Sequence, residues 1–353
     1  FCTMLDYIIV GAGLAGISFS EFLLEEKKSF VVFDNHSQNS TTVAGGLYNP
    51  VVLKRFSEVW RAQEQLDLLD GFYGKLEKKL QTTFNFALPV YRRFYSVEEQ
   101  NNWFLASDKP GLSSFLSTSL ITAKFDGIAS PFGFGKVNFS GYVDTHLLLT
   151  KYHEYLRNNN LLLETPFLYK NVVFYDDHVD YGGLKARHVV FAEGFGLHQN
   201  PFFNRLPLDG TKGELLLIKA PKLRLDVIVN TSIFILPLGN DLFKVGATYS
   251  WEDKTLATTE NGKNELLEKL NEILQCDFEV VNQLAGIRPT VKDRRPLIGR
   301  HPKMKNCYVL NGLGTRGVML GPYLAQHLYQ FIENGTPLDP EADITRFKKL
   351  NWD

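Results

Sequence analysis

An apolar run of strand length, Tyr7-Ile8-Ile9-Val10, passes directly into Gly11-Ala12-Gly13-Leu14-Ala15-Gly16. An apolar-periodic stretch continues to Leu24, and a second apolar run, Phe30-Val31-Val32-Phe33, ends at Asp34. Strand, glycine turn, helix, strand and acid form the βαβ order of a dinucleotide-binding unit. Each glycine has its own task. Gly11 permits the tight turn, Gly13 lets the backbone approach a pyrophosphate, and Gly16 lets helix and strand pack closely. Ala12, Leu14 and Ala15 complete the turn and the helix start, where free N–H groups and the helix dipole favour phosphate. Asp34, followed by Asn35, is expected to accept from ribose hydroxyls; the alternative is a solvated strand end.

The rest of the chain bounds what surrounds this unit. At 353 residues the length suggests roughly two domains, at about 150 residues each. Lys and Arg (38) nearly balance Asp and Glu (39), which argues against a strongly basic nucleic-acid binder. Cys2, Cys276 and Cys307 are too few for a disulfide framework or a structural zinc site. The eight histidines contain no HxH or HExxH pair, so no metal is expected. No apolar run approaches the length of a membrane span, about 18 residues or more. Asp6 and the glycine turn interrupt the short apolar start, so no signal peptide and a cytoplasmic location are expected. Phe1-Cys2-Thr3, ahead of Met4, are left out of the fold reading.

Periodicity predicts helices over 56–81, around 144–158 with Asp144 as N-cap, over 264–274 and over 318–332. The aromatic runs of 84–135 and the alternating runs of 213–250 read as strands of another, largely antiparallel sheet. Val189-Val190-Phe191-Ala192 is a buried strand running into Glu193-Gly194. A second glycine motif, Gly312-Leu313-Gly314-Thr315-Arg316-Gly317, follows the strand Tyr308-Val309-Leu310 and opens the last helix at Val318. Only 36 residues remain after it and no strand ending in an acid follows, so it is not a second nucleotide domain. It is read as a further helix N-terminus aimed at the same bound group; a packing turn is the alternative.

Five segments then carry a resemblance. They are Asp6–Gly16 with Asp34, Thr41–Leu47, His188–Gly194, Gly286–Asp293 with Pro296–Gly299, and Asn311–Pro322. Together they resemble the FAD-dependent amino-acid and amine oxidoreductases, the superfamily of D-amino acid oxidase, glycine oxidase and sarcosine oxidase. The resemblance implies an α/β fold: a Rossmann-type FAD domain (1–84, 140–211, 286–353) interleaved with a largely antiparallel substrate domain (85–139, 212–285). It implies that Thr42, Ala44, Gly45, Gly46 and Leu47 run beside the flavin with Tyr48 close by, and that Phe167 holds adenine. Ala192 and Gly194 would pass the adenosine side, and Gly312, Gly314, Thr315, Arg316, Gly317 and Val318 would face the flavin ring. Arg288 stands where glycine oxidase binds the substrate carboxylate; a structural salt bridge is the alternative. Phe234 replaces a tyrosine that the amino-acid oxidases often carry, with Tyr249 as a possible substitute. No cysteine lies beside Arg288, so the FAD is expected to be non-covalent.

The implied reaction is oxidation of a C–N bond in a small amine or amino acid. A hydride passes to flavin N5, and the electrons go on to O₂ or another acceptor such as a quinone or protein. Gly46-Leu47-Tyr48 and Gly312–Gly317 are also similar to the flavin domain of the bifunctional tRNA 5-methylaminomethyl-2-thiouridine biosynthesis protein. Oxidation of a tRNA-borne amine is therefore an alternative, with Lys292, Arg294, Arg295 and Arg300 as the basic cluster. A flavin-binding module without turnover is another.

Overall fold

The apolar runs pair as parallel strands, whose two faces are covered by other elements and therefore read as unbroken hydrophobic sequence. The computed structural model describes residues 4–352; Phe1, Cys2 and Thr3 lie outside the described residues. Leu5–Val10 pairs in parallel with Phe30–Phe33 on one side and Leu184–Phe191 on the other. Leu162–Leu163 extends the sheet beyond Phe30–Phe33, and Cys307–Asn311 extends it beyond Leu184–Phe191. The helix Leu14–Glu25 is buried from Leu14 to Leu23, because the last helix, Gly317–Asn334, packs along it.

A second sheet of seven strands roofs the carboxyl ends of the first. Its order is Glu279–Arg288, Thr211–Lys219, Leu242–Gly246, Phe234–Gly239, Ile228–Asn230, Val90–Arg93 and Phe134–Val137. All neighbours run antiparallel except Ile228–Asn230 beside Val90–Arg93. The fold is thus α/β, with a mixed nucleotide-type sheet, parallel at its centre and joined by the antiparallel strands Val172–Phe174, Val179–Tyr181 and Leu297–Arg300, and a largely antiparallel companion. Among the described residues no helix is long and apolar enough to cross a membrane.

Two helices have boundaries that differ from the periodicity, and a third lies in a segment read as strands. The helix expected over 56–81 is Ala62–Leu80, because Arg61 adopts a left-handed φ of 52° and Ser57–Glu58 pairs with Val51–Val52. The helix expected over 264–274 is Glu260–Asn271, started by Thr259, whose hydroxyl accepts from the Gly262 N–H at 3.0 Å. Within 84–135, read as strands, lies the helix Val97–Ser107. Ser96 caps it by accepting from the Glu99 N–H at 3.2 Å, while the Glu99 carboxylate accepts from Tyr95 N–H at 2.7 Å. Asp144 caps Thr145–Asn158 as expected, accepting from Leu147 N–H at 3.0 Å.

Candidate active site

The turn after the first strand owes its shape to missing side chains. Gly11 has a φ of 102°, and a Cβ there would fall 2.4 Å from the Ala192 carbonyl oxygen. A Cβ on Gly16 would fall 1.8 Å from the Gly11 oxygen, so this glycine serves helix–strand packing and does not line the cleft. Gly13 differs: its φ is −75°, and a Cβ would meet only Thr41 Oγ1, at 3.4 Å. Its open side faces a cavity of about 980 Å³ between the strand ends and the roof sheet.

Most of the expected binding residues line this one cavity. Gly11, Ala12, Gly13, Leu14 and Ala15 form one stretch of its wall, and Asp34 with Asn35 lies beside them. Thr42, Ala44, Gly45, Gly46 and Leu47 form another stretch, while Phe167, Ala192 and Gly194 close the side by the parallel sheet. Gly314, Thr315, Arg316, Gly317 and Val318 bring in the N-terminus of the last helix, and Arg288 comes from the roof.

Three expectations are corrected. Tyr48 does not reach the cavity. Leu47–Tyr48 pairs with Gly141–Val143, and strand alternation sends Leu47 to the cavity and Tyr48 into the core. The Tyr48 hydroxyl fits there because Gly141 has no Cβ, which would lie 2.4 Å away; burial and the charges of Asp70 and Glu77 push its acidity well below that of a free phenol. Tyr249 is 42 % exposed and off the cavity wall; its hydroxyl accepts from Arg294 and its ring stands 5.4 Å from the Arg288 guanidinium. Gly312 lies outside the lining, its φ of 76° and missing Cβ letting the chain pass Val291, Pro296 and Leu297.

The arginines define the electrostatics. Arg288 donates to the Thr248 carbonyl from both Nη atoms at 3.4 Å and to the Lys212 carbonyl at 3.5 Å, all long contacts. Arg316 donates to the Asn49 carbonyl at 3.1 Å. Among the described residues neither has a carboxylate within ion-pair distance. Burial lowers the pKa of Arg288, and that of Arg316 to about 10. The salt-bridge alternative for Arg288 therefore has no partner here.

Phe234, noted in the sequence as standing where a tyrosine is common, is on the wall, and the other groups around it were not singled out from the sequence. Phe234 touches the 44–47 loop, since a Cβ on Gly45 would lie 2.8 Å from its Cζ. Lys244, which is not itself part of the cavity lining, donates to the Ala44 carbonyl at 3.1 Å, and burial lowers its pKa. His153 Nε2 donates to the Ala12 carbonyl at 2.8 Å. Asp34, His36 and His153 bring metal-ligand atoms within 4.8 Å of one another, yet His36 Nε2 is engaged by Glu164 Oε1 at 2.9 Å.

Glu193 is a further member of the wall. It is hydrogen-bonded by the Tyr169 hydroxyl and, at 2.7 Å, by Asn200 Nδ2. Burial outweighs those bonds and raises its pKa from 4.5 to about 7. The folded protein thus holds a proton that the unfolded chain has released between those values. Stability contributed by this group is full below the lower value, falls as pH rises towards the upper one, and is flat above it. Chemical denaturation across pH 4–8 is expected to show Glu193→Gln losing this decline, a difference of up to about 3 kcal/mol. Parallel stability curves for the two proteins would refute it.

The comparisons with known proteins bear on the family and the fold. Residues 6–330 match the DAO family, described as FAD dependent oxidoreductase. The chain is 22% identical to the uncharacterized oxidoreductase YurR of Bacillus subtilis, over 93% of this chain and 95% of that protein. It is 28% identical to glycine oxidase of the same bacterium, over 43% of each. It is 27% identical to the tRNA 5-methylaminomethyl-2-thiouridine biosynthesis bifunctional protein MnmC of Idiomarina loihiensis, over 47% of this chain and 29% of that one. The crystal structure of glycine oxidase from Geobacillus kaustophilus superposes with a TM-score of 0.75 at 19% identity, covering 95% of this chain and 96% of the other. With the family match running through both sheets, the chain belongs to the FAD-dependent oxidoreductases of the DAO family.

Proposed function

We propose that the protein oxidises the C–N bond of a small amine or amino acid that carries a carboxylate. The observation that carries this reading is the pair of desolvated guanidinium groups, Arg288 and Arg316, on one cavity with no acidic partner among the described residues. A buried cation is costly unless an anion arrives with the ligand. Arg288, on the roof, suits a substrate carboxylate, because its planar fork gives two parallel hydrogen bonds. Arg316 and the N-terminus of the last helix suit negative charge on the cofactor ring.

The cavity residues fit FAD. Gly11 to Ala15 and Asp34 would hold the pyrophosphate and ribose, Phe167 with Ala192 and Gly194 the adenosine, and 44–47 with 314–318 the ring. When bound, FAD supplies the acceptor for a hydride leaving the carbon next to nitrogen. The nitrogen lone pair then forms the C=N bond, and water hydrolyses the imine to a carbonyl compound and the free amine. Arg288 fixes the substrate, and the Phe234 ring walls the site against water.

Anaerobic bleaching of the flavin by a panel of carboxylated and uncarboxylated amines, followed by air, tests this function and reads out O₂ as acceptor. Bleaching confined to uncarboxylated amines would overturn the proposed substrate class. A tRNA-borne amine is the second reading, favoured by Trp251 and Arg294, an exposed aromatic–cation pair 5.0 Å apart outside Arg288. Adding tRNA to the panel tests it. Neither described cysteine lines the cavity, Cys307 being fully buried. Acid precipitation is expected to release the yellow FAD into the supernatant, and colour held in the pellet would show a covalent link.

A further inference from the structure

We propose that Asn230 is a second anchor in the cavity, so that the substrate is an extended amine with two oxygen-bearing ends. One end, a carboxylate, engages Arg288; the other offers an oxygen acceptor to the Asn230 amide. The proposal rests on the reading of Arg288 given above and adds to it the length and second functional group of the substrate.

Asn230 ends the strand Ile228–Asn230 and lines the cavity. Its Oδ1 accepts from Arg92 Nη1 at 2.9 Å. Arg92 is itself clamped, donating to the Thr231 carbonyl at 2.7 Å and to Glu99 Oε1 from Nε at 3.0 Å and Nη2 at 2.7 Å. The amide oxygen is thereby committed to the protein and the amide plane is set. The Nδ2 group has no protein acceptor among the described residues, which leaves N–H donors for a ligand. The arginine charge on the amide oxygen also strengthens those donors. A donor fixed on the cavity wall favours an acceptor over a plain alkyl end, which would leave it unpaired once the ligand excludes water.

The two anchors are well separated. The Arg288 guanidinium lies over Gly213, where a Cβ would come within 1.9 Å of Nη2. Gly213 is on the second roof strand and Asn230 on the fifth, so the anchors stand three strand spacings apart, roughly 14 Å along the sheet. Between them Phe234 pairs across to Asn230 on one side and to Gly246 on the other. Glycine would reach one anchor. An amine with a longer arm ending in a carboxylate or amide would reach both while lying along the Phe234 ring.

The test titrates the FAD-loaded protein with α,ω-dicarboxylates from succinate to sebacate and with the monocarboxylates of matching length, following flavin absorbance. At one or more lengths the diacid is expected to bind at least tenfold tighter than its monoacid. Asn230→Leu should erase that gain while leaving monoacid Kd within twofold and FAD content unchanged. Asn230→Asp should reverse it, because the diacid would then meet a like charge. No diacid advantage at any length, an advantage retained in Asn230→Leu, or FAD lost from that variant would each overturn the role of Asn230. Arg288→Ala separates the two readings. It should weaken monoacids and diacids together, and unchanged monoacid affinity would remove the carboxylate role of Arg288 while the Asn230 contrast still decides its own.

Discussion

Gly13→Val should fold normally and purify without yellow colour. The backbone at Gly13 has a φ of −75°, which valine adopts without strain, and the nearest atom to a new Cβ is Thr41 Oγ1 at 3.4 Å. Nothing in the protein is displaced, so the added methyls project into the cavity that the cofactor is proposed to fill. Overfilling a close contact costs about 1–3 kcal/mol, or roughly five- to a hundred-and-fiftyfold in FAD affinity. Unfolding midpoints of the apoproteins should match, and FAD reconstitution should separate them. The neighbouring glycines cannot make this distinction. A side chain at Gly11 or Gly16 would strike backbone oxygen at 2.4 or 1.8 Å, and would lose cofactor and fold together. A stoichiometrically yellow Gly13→Val protein would remove the pyrophosphate from this turn.

What the sequence discloses follows from how local each signal is. Tyr7–Val10, Phe30–Phe33 and Val189–Phe191 are legible because central parallel strands are apolar on both faces. The turn at Gly11 and the cap at Asp144 are legible because a few consecutive residues specify them. The Val97–Ser107 helix had a readable start in Ser96 and Glu99, but its interior gives a weak stripe in which only Trp103, Ala106 and Ser107 are buried. The facing of Tyr48 depends on pairing with Gly141–Val143, a register no local pattern states. Glu193 and Asn230 likewise acquire meaning only from Tyr169 and Arg92, brought to them by sheet pairing and by the loop before Val172–Phe174. Arg288 was legible through its motif, whereas its lack of an acidic partner was not, because ion pairing is a property of the packed structure.

That lack of a partner makes Arg288 the sharpest test of the chemistry. Its guanidinium lies over Gly213, faces the Tyr249 ring at 5.4 Å, and makes only long contacts, to the Thr248 and Lys212 carbonyls. A buried arginine with a purely structural role is usually paired with a carboxylate, and Arg288 has none among the described residues, which is why we propose that its donors serve a ligand in the cavity. Removing it should therefore cost little folding energy and much substrate recognition. Arg288→Ala is expected to lower the efficiency of flavin reduction by the best carboxylated amine by about 2–4 kcal/mol, roughly thirtyfold to a thousandfold. FAD content should stay unchanged. Arg288→Lys keeps the charge but loses the fork, and should fall between the two. Gly213→Ala leaves the arginine in place chemically and pushes the guanidinium off its seat, so it should reproduce part of the defect with the charge intact. Reduction rates and affinities equal to wild type in Arg288→Ala would end the carboxylate assignment. Loss of FAD or of folded protein would return Arg288 to a structural role, and the long contacts to Thr248 and Lys212 would then have to carry far more stability than their geometry allows.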